Sequence, residues 1–366
     1  MSNNLHRVKT AGQILLLFGI LYLFLVSIGL MGASFKMFGK DFATQLVETT
    51  TNPFVGLFVG ILATTLVQSS STTTSLVVGI VAAGGLTIDT AVPIIMGANI
   101  GTSVTNTLVS MGHITRPVEF RRALAGATVH DFFNLMAVII LFPLELATGY
   151  LRTLAAGTSD IFTGMGGMTL ANPIKASIKP AVNMLVDLIG DHPWLALIVS
   201  LAMMYVSLKF LVDLARGLVV SKAERFLHQY LFGSAGYAIL FGVMMTVAVQ
   251  SSSITTSLII PLVGAGIITV EQIFPYTLGA NIGTTVTAML AALSTANVAA
   301  ITIAFVHLLF NLSGILLIYP IAAIRRIPIK LSQALAGFAS TSRGWAIAYL
   351  IVVFYALPLC IILIWR

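Results

Sequence analysis

The sequence predicts an all-α polytopic membrane protein with two inverted-topology repeats, each carrying a re-entrant helical hairpin and a broken transmembrane helix. Three observations carry this expectation. The first is the solvent that the composition demands. Of 366 residues, 58% are hydrophobic and 8% charged, with a mean hydropathy of +1.01, whereas a water-soluble domain carries roughly 25% charged residues. The second is a polar string written twice inside apolar sequence: QSSSTTTS from Gln68 and QSSSITTS from Gln250. The third is a set of motif pairs in the same order in each half. PIIMGANIGTSVTNTLV (Pro93 to Val109) matches PYTLGANIGTTVTAMLA (Pro275 to Ala291) at the same 182-residue offset as the strings. VHDFFNL (Val129 to Leu135) matches VHLLFNL (Val306 to Leu312) at 177. Three ordered pairs mark an internal duplication.

The elements follow in order. Basic residues precede an apolar run from Ala11 to Gly32, which is longer than the core of a signal peptide and reads as a first transmembrane helix. Pro53 to Val67 is long enough for about 22 Å of helix and Thr72 to Ala83 for about 18 Å, so neither crosses a hydrocarbon core of about 30 Å. They form the arms of a hairpin that enters and leaves on one side, its tip at 68–71 buried by protein or a cavity. The next helix is interrupted at 97–102, and a long one follows around 120–147; together these make the first repeat, 1–150. The polar stretch 151–191 reads as an external connecting loop. The second repeat, 192–322, has a helix near 192–218, a tip at 250–253, a break at 279–284 and a helix near 296–322. Residues 323–366 supply a cytoplasmic loop and a final transmembrane helix near 344–365.

A hairpin adds no crossing, so each repeat crosses three times and the second lies upside down relative to the first. With a cytoplasmic N-terminus, twelve basic residues fall on inner segments: Arg7, Lys9, Arg116, Arg121, Arg122, Arg216, Lys222, Arg225, Arg325, Arg326, Lys330 and Arg343. Six fall outside: Lys36, Lys40, Arg152, Lys175, Lys179 and Arg366. That bias is the positive-inside pattern of a multi-pass protein of the cell membrane. The net charge of +7 comes without a basic cluster interleaved with aromatics, so nucleic acid is not a partner; the bilayer is. The single cysteine, Cys360, excludes an internal disulfide and a cysteine metal site.

Hydroxyl-rich stretches in membrane helices often serve close packing alone. Packing does not explain a glutamine at the head of both strings, arms too short to span, or an inversion that brings both tips to one depth. Helix starts near Ser71 and Ser253 would instead point unpaired N–H groups and partial positive charge into the membrane centre, where an anion can bind. The two GANIGT breaks would add starts near Thr102 and Thr284, with Gly97, Gly101, Gly279 and Gly283 freeing the backbone. The candidate anion ligands are therefore Gln68, Ser69, Ser70, Ser71 and Asn99, with Gln250, Ser251, Ser252, Ser253 and Asn281. No Lys or Arg lies between Thr49 and Thr115 or between Phe226 and Ile324. An oxyanion held by hydroxyls, amides and helix ends would need bound cations to offset its desolvation. Oxygen ligands suit a hard ion such as sodium, and inverted repeats with broken helices place substrate and coupling ions together at the midplane. The expectation is a symporter.

The paired QSSS strings, GANIGTSVTN and FRRALAGATVHDFFN resemble the type II sodium-dependent phosphate cotransporter family, in a compact bacterial-like form and over nearly the whole chain. The resemblance implies sodium-driven uptake of inorganic phosphate, sodium as co-transported ion and no organic cofactor. It also implies a sodium site from Gln250, Ser251, Ser252, Thr284 and Thr287, with the serines of both tips facing phosphate. Gln68 and Thr102, repeat partners of Gln250 and Thr284, extend the sodium ligands, as does Asp131. An acid within a membrane helix is expensive and marks function, and the second repeat has Leu308 in its place. Electrogenic members carry an aspartate at this motif position, linked to an additional sodium; an ion pair with Arg121 or Arg122 is the alternative. His130 and His307 read as helix-packing residues, and Asp89 and Glu271 as solvated acids at helix starts.

The sequence leaves two rival functions, an enzyme and a carrier of another cargo. An enzyme is disfavoured, because the histidines lie on different helices from the serines that they would have to activate. No GxxxxGK[ST] loop is present to couple transport to a nucleotide. Another cargo, sulfate or a dicarboxylate, is the remaining alternative, since helix ends and hydroxyls alone do not separate tetrahedral oxyanions.

Overall fold

In lipid an open chain satisfies its backbone only by coiling into helix, and helix is what these apolar runs form. The computed structural model describes residues 2–38, 52–231 and 234–365, with no strand among them; Lys40 and Arg366 lie outside. The first half comprises α1 (Ser2–Phe38), α2 (Pro53–Val67), α3 (Ser70–Ala82), α4 (Ile88–Gly101), α5 (Val104–Ser110) and α6 (Pro117–Thr148). Two helices follow, α7 (Tyr150–Gly164) and α8 (Gly167–Ile189). The second half comprises α9 (Pro193–Leu231), α10 (Ala235–Val249), α11 (Ser252–Ser257), α12 (Ile260–Gly264), α13 (Val270–Thr295) and α14 (Val298–Ile318). Then come α15 (Ala322–Thr341), α16 (Gly344–Ile351), a π-turn and α17 (Leu357–Trp365). Among the described residues five stretches are long and apolar enough to cross a membrane: Leu15–Phe38, Pro117–Thr148, Pro193–Leu211, Val298–Ile318 and Gly344–Trp365. They coincide with the five uninterrupted helices that the sequence predicts, and the protein is a multi-pass membrane protein.

Matching positions in the two halves start helices in matching ways. Asn52 and Ser234 cap α2 and α10, their side chains accepting from Phe54 and Tyr237 N–H. Thr87 with Thr90, and Thr269 with Gln272, close capping boxes at α4 and α13. Asp89 and Glu271 sit in those first turns, where an acid opposes the helix dipole. Asp89 is also paired with Arg152, which raises the arginine's pKa, and Glu271 accepts from Gln333 at 3.3 Å.

Three expectations need correcting. The segment 151–191 is no irregular loop but α7 and α8, joined at Met165–Gly166. Residues 323–341 likewise belong to a helix, α15, which packs along α6. The third concerns the GANIGT motifs. In the first half the helix does break, at Thr102–Ser103, but in the second α13 runs unbroken through 279–284. The motif glycines do not loosen the backbone; they let helices touch. A Cβ on Gly97 would collide with the carbonyl oxygen of Leu57, and one on Gly279 with that of Ile239, the matching residue. Thus α2 lies against α4, and α10 against α13, at backbone contact. Without a hydrophobic drive between helices in lipid, such close approach supplies the dispersion energy that holds them.

Candidate functional site

Each polar string begins where a residue stops a helix in an unfavourable conformation. Gln68 (φ 56°, ψ 28°) and Gln250 (φ 59°, ψ 22°) cap α2 and α10 in the left-handed region. Glycine or asparagine normally takes that place, and a long side chain there costs on the order of 1 kcal/mol. Both halves retain glutamine, so the amide itself is wanted at the tip. The next residue, Ser69 or Ser251, returns to extended backbone (φ −150° and −151°) and caps the following helix. Ser69 Oγ accepts from Thr72 N–H at 3.2 Å, and Ser251 Oγ from Ile254 N–H at 3.4 Å. Their hydroxyl protons remain able to donate.

The two tips meet. Ser71 Oγ donates to the Gln250 carbonyl at 3.4 Å, and Ser253 Oγ to the Thr102 carbonyl at 3.3 Å. Thr256 Oγ1 reaches Asn106 Oδ1 at 2.8 Å from the same arm. Between the tips lies a cavity of about 290 Å³. Gln68, Ser69, Ser71 and Thr72 line it from one tip; Gln250, Ser251, Ser253 and Ile254 line it from the other. Thr105 and a face of α9 (Tyr205, Leu208, Lys209 and Asp213) complete the wall.

Six of the ten expected anion ligands therefore share one space. Ser70 and Ser252 do not line it: both are buried on the first turn of their helices, and Ser252 Oγ has no hydrogen-bond partner among the described residues. Asn99 and Asn281 do not line it either. They are 2% exposed and build a polar core between the halves. Asn281 Nδ2 donates to Asn134 Oδ1 (2.9 Å), Asn134 Nδ2 to the Asn99 carbonyl (2.8 Å) and Asn311 Nδ2 to Asn99 Oδ1 (3.2 Å). His130 Nε2 joins Asn281 Oδ1 at 2.6 Å, so this histidine ties helices together. With the Asn99 amide taken by Ile95 and Asn311 and the Asn281 amide by Asn134 and His130, the two residues hold the halves in register.

The expected sodium ligands divide similarly. Thr287 Oγ1 donates to Gln250 Oε1 at 2.8 Å, and Gln250 Nε2 to the Val247 carbonyl at 2.6 Å, which fixes that amide. Thr102 and Thr284 donate to the Ala98 and Asn281 carbonyls of their own helices (2.9 and 2.6 Å). A threonine hydroxyl whose proton is so used offers only lone pairs to a third partner, as a cation requires. Asp131 stands apart from the tips, fully buried on α6, accepting from Tyr349 Oη at 3.0 Å and Thr107 Oγ1 at 3.4 Å. Neither Arg121 nor Arg122 is its partner, and Asp131 Oδ1 has none among the described residues. Sequence reasoning missed Lys209, Asp213, Tyr205 and Thr105. Thr105 could have been found as the repeat partner of Thr287, and Lys209 as a lysine inside an apolar helix.

The family described as Na+/Pi-cotransporter matches the chain twice, over residues 23–171 and 194–343. Sodium-dependent phosphate transport protein 2B of Pongo abelii and of Homo sapiens are each 34% identical to it over 447 residues, covering 96% of this chain and 65% of theirs. Sodium-dependent phosphate transport protein 2A of Rattus norvegicus is 35% identical over 421 residues, covering 94% and 66%. The chain thus spans just under two thirds of the length of these relatives. No solved structure matches it. With the family's signature over both halves, the chain belongs to the Na+/Pi-cotransporter family.

Proposed function

We propose that this protein is a sodium-coupled symporter that imports inorganic phosphate across the cell membrane by alternating access. Phosphate and sodium bind together near the membrane midplane, between two QSSS tips carried by inverted repeats, with the N-terminus in the cytoplasm. The observation that carries the reading is the single cavity lined by both tips, although they are 182 residues apart in the chain. The names of the relatives support sodium and phosphate as cargo and a carrier rather than an enzyme.

The residues divide the work by hydrogen-bond polarity. The hydroxyl protons of Ser69 and Ser251 and the Gln68 amide N–H group donate to phosphate oxygens. The start of α3 adds backbone N–H groups and dipole. Gln250 Oε1, Ser251, Ser252, Thr284 and Thr287 offer oxygen to sodium, with Gln68 and Thr102 as their counterparts in the first half and Asp131 as a further ligand. Each ion relieves the desolvation cost of the other. Release then follows when one half moves against the other around the tips.

Uptake of radiolabelled phosphate into proteoliposomes tests this. Uptake requires an inward sodium gradient, and sodium raises the apparent affinity for phosphate as phosphate does for sodium, because the coupling is reciprocal. Equal uptake from choline and sodium buffers sinks the symport reading. Sulfate or a dicarboxylate competing as well as unlabelled phosphate changes the cargo.

A further inference from the structure

One wall of the tip cavity comes from neither repeated motif. Tyr205, Leu208, Lys209 and Asp213 fall three, four and eight positions along α9 and so form one stripe, and all four line the cavity. Lys209 and Asp213 are the only charged side chains among its lining residues. Both are exposed to it or to solvent, and neither takes part in an ion pair among the described residues. Lys209 lies inside Pro193–Leu211, a stretch apolar enough to cross a membrane, where a lysine is rare and ordinarily serves a pathway or a partner. Meanwhile the donors of Ser71 and Ser253 are occupied by the carbonyls of Gln250 and Thr102. The tips alone therefore present amides, two free serine protons and no formal positive charge to an oxyanion.

We infer that Lys209 is a phosphate-binding residue of the tip cavity, and that Asp213, one turn further on, competes with the anion for its ammonium group. The inference rests on the phosphate-transport reading and names a residue that reading does not contain. An ammonium group is a compact charge with three rotatable donors, able to follow an oxyanion among the tip hydroxyls without the fixed geometry of a guanidinium. Asp213 keeps the site from staying cationic when phosphate leaves, which favours release. Reaching for the membrane surface, the ordinary behaviour of a lysine near a helix end, would leave its charge unrelated to substrate affinity.

The test is phosphate uptake by the purified protein in proteoliposomes under a sodium gradient, with the amount of correctly folded transporter measured by size exclusion. Lys209→Gln raises KM for phosphate roughly tenfold with a much smaller change in Vmax, the loss of one charge-assisted contact. Lys209→Arg restores most of the affinity, and Asp213→Asn lowers KM by removing the competitor. If the wild-type protein takes up no phosphate, the transport reading itself fails. If the wild type transports and Lys209→Gln keeps its KM, only the inference fails. Should Lys209→Gln not fold, Asp213→Asn decides: a lowered KM supports the inference, and an unchanged or raised one overturns it.

Discussion

The first half of the chain breaks its GANIGT helix at Thr102–Ser103 and keeps the arm after its tip, α3, whole; the second half does the reverse. Pro261 explains the arm. It has no N–H to donate and its ring crowds the carbonyl four residues back, which is Ser257, the last residue of α11. The first half has Gly79 at that position, and α3 continues to Ala82. The helix break is explained by what docks there: the freed Thr102 carbonyl accepts from Ser253, and Asn106 accepts from Thr256. In the second half Ala288 replaces Asn106, and α13 receives no such hydrogen bond among the described residues. Two copies of one motif thus take different shapes because each is seated against the other copy, not against itself. What the halves share is their scaffold of glycine contacts, caps and left-handed glutamines. What they do not share is how the tips are held.

The shared part should show the largest effects. Gly97→Leu and Gly279→Leu each drive a side chain into the carbonyl of a packed neighbour, an overpacking at the upper end of the usual range, about 3 kcal/mol. Both variants are expected to lose folded, monodisperse protein to a similar extent, read as recovery and melting temperature in detergent. If Gly97→Leu alone is tolerated, the break at Thr102 lets α4 move away from α2, and the two scaffolds are not equivalent.

The same glycines show where the sequence could be read and where it could not. The tips are legible because a glutamine heads both hydroxyl strings and each string divides arms too short to span. The uninterrupted helices were legible because apolar length alone decides a crossing. Gly279 and Gly283 were misread as helix breakers, since a glycine weakens a helix in water but in lipid more often lets one backbone approach another. Asn99 and Asn281 looked like ligands because nothing in the sequence reveals that Asn134 and Asn311 would meet them. Lys209 stands out in the sequence as a lysine in an apolar stretch, but α9 bears no repeated motif to tie it to the tips; packing along α1 and against α10 turns that stripe toward them.

Ser252 comes next in size. Its hydroxyl is buried without a partner among the described residues, so in a protein with no ligand Ser252→Ala would be neutral or stabilising. As a sodium ligand it behaves differently. Ser252→Ala is expected to keep or slightly raise the melting temperature while lowering sodium affinity roughly tenfold or more. A variant that transports normally over a full sodium titration removes Ser252 from the ion site.

Asp131 tests a buried formal charge that the second half replaces with Leu308. An ion pair would have predicted collapse on neutralisation, through a stranded arginine; instead two hydroxyl groups hold the carboxylate, and an amide oxygen can accept from both. Asp131→Asn is therefore expected to fold and to transport. If Asp131 holds one sodium beyond those that balance a divalent phosphate, wild-type uptake responds to an imposed membrane potential and Asp131→Asn uptake does not. An unchanged voltage response assigns the charge elsewhere.

The smallest effects separate the two glutamines. Gln250 is fixed by Thr287 at 2.8 Å. The matching Thr105 hydroxyl is buried without a partner, and no hydrogen bond holds the Gln68 amide among the described residues. Thr287→Val removes that hydrogen bond, worth about 1 kcal/mol, and with it an oxygen offered to sodium, so the sodium half-saturation should rise by roughly fivefold or more. Thr105→Val removes no bond and should change it by less than roughly twofold from the same side. Alternating access predicts more than this difference. If the halves exchange roles when the carrier turns, Gln68 meets Thr105 and Gln250 releases Thr287 in the opposite conformation. Sodium titrations on the two faces of oriented vesicles would then show Thr105→Val as the damaging change on one face and Thr287→Val on the other. Thr287→Val dominating on both faces would mean that the asymmetry is built into the sequence and does not reverse during transport.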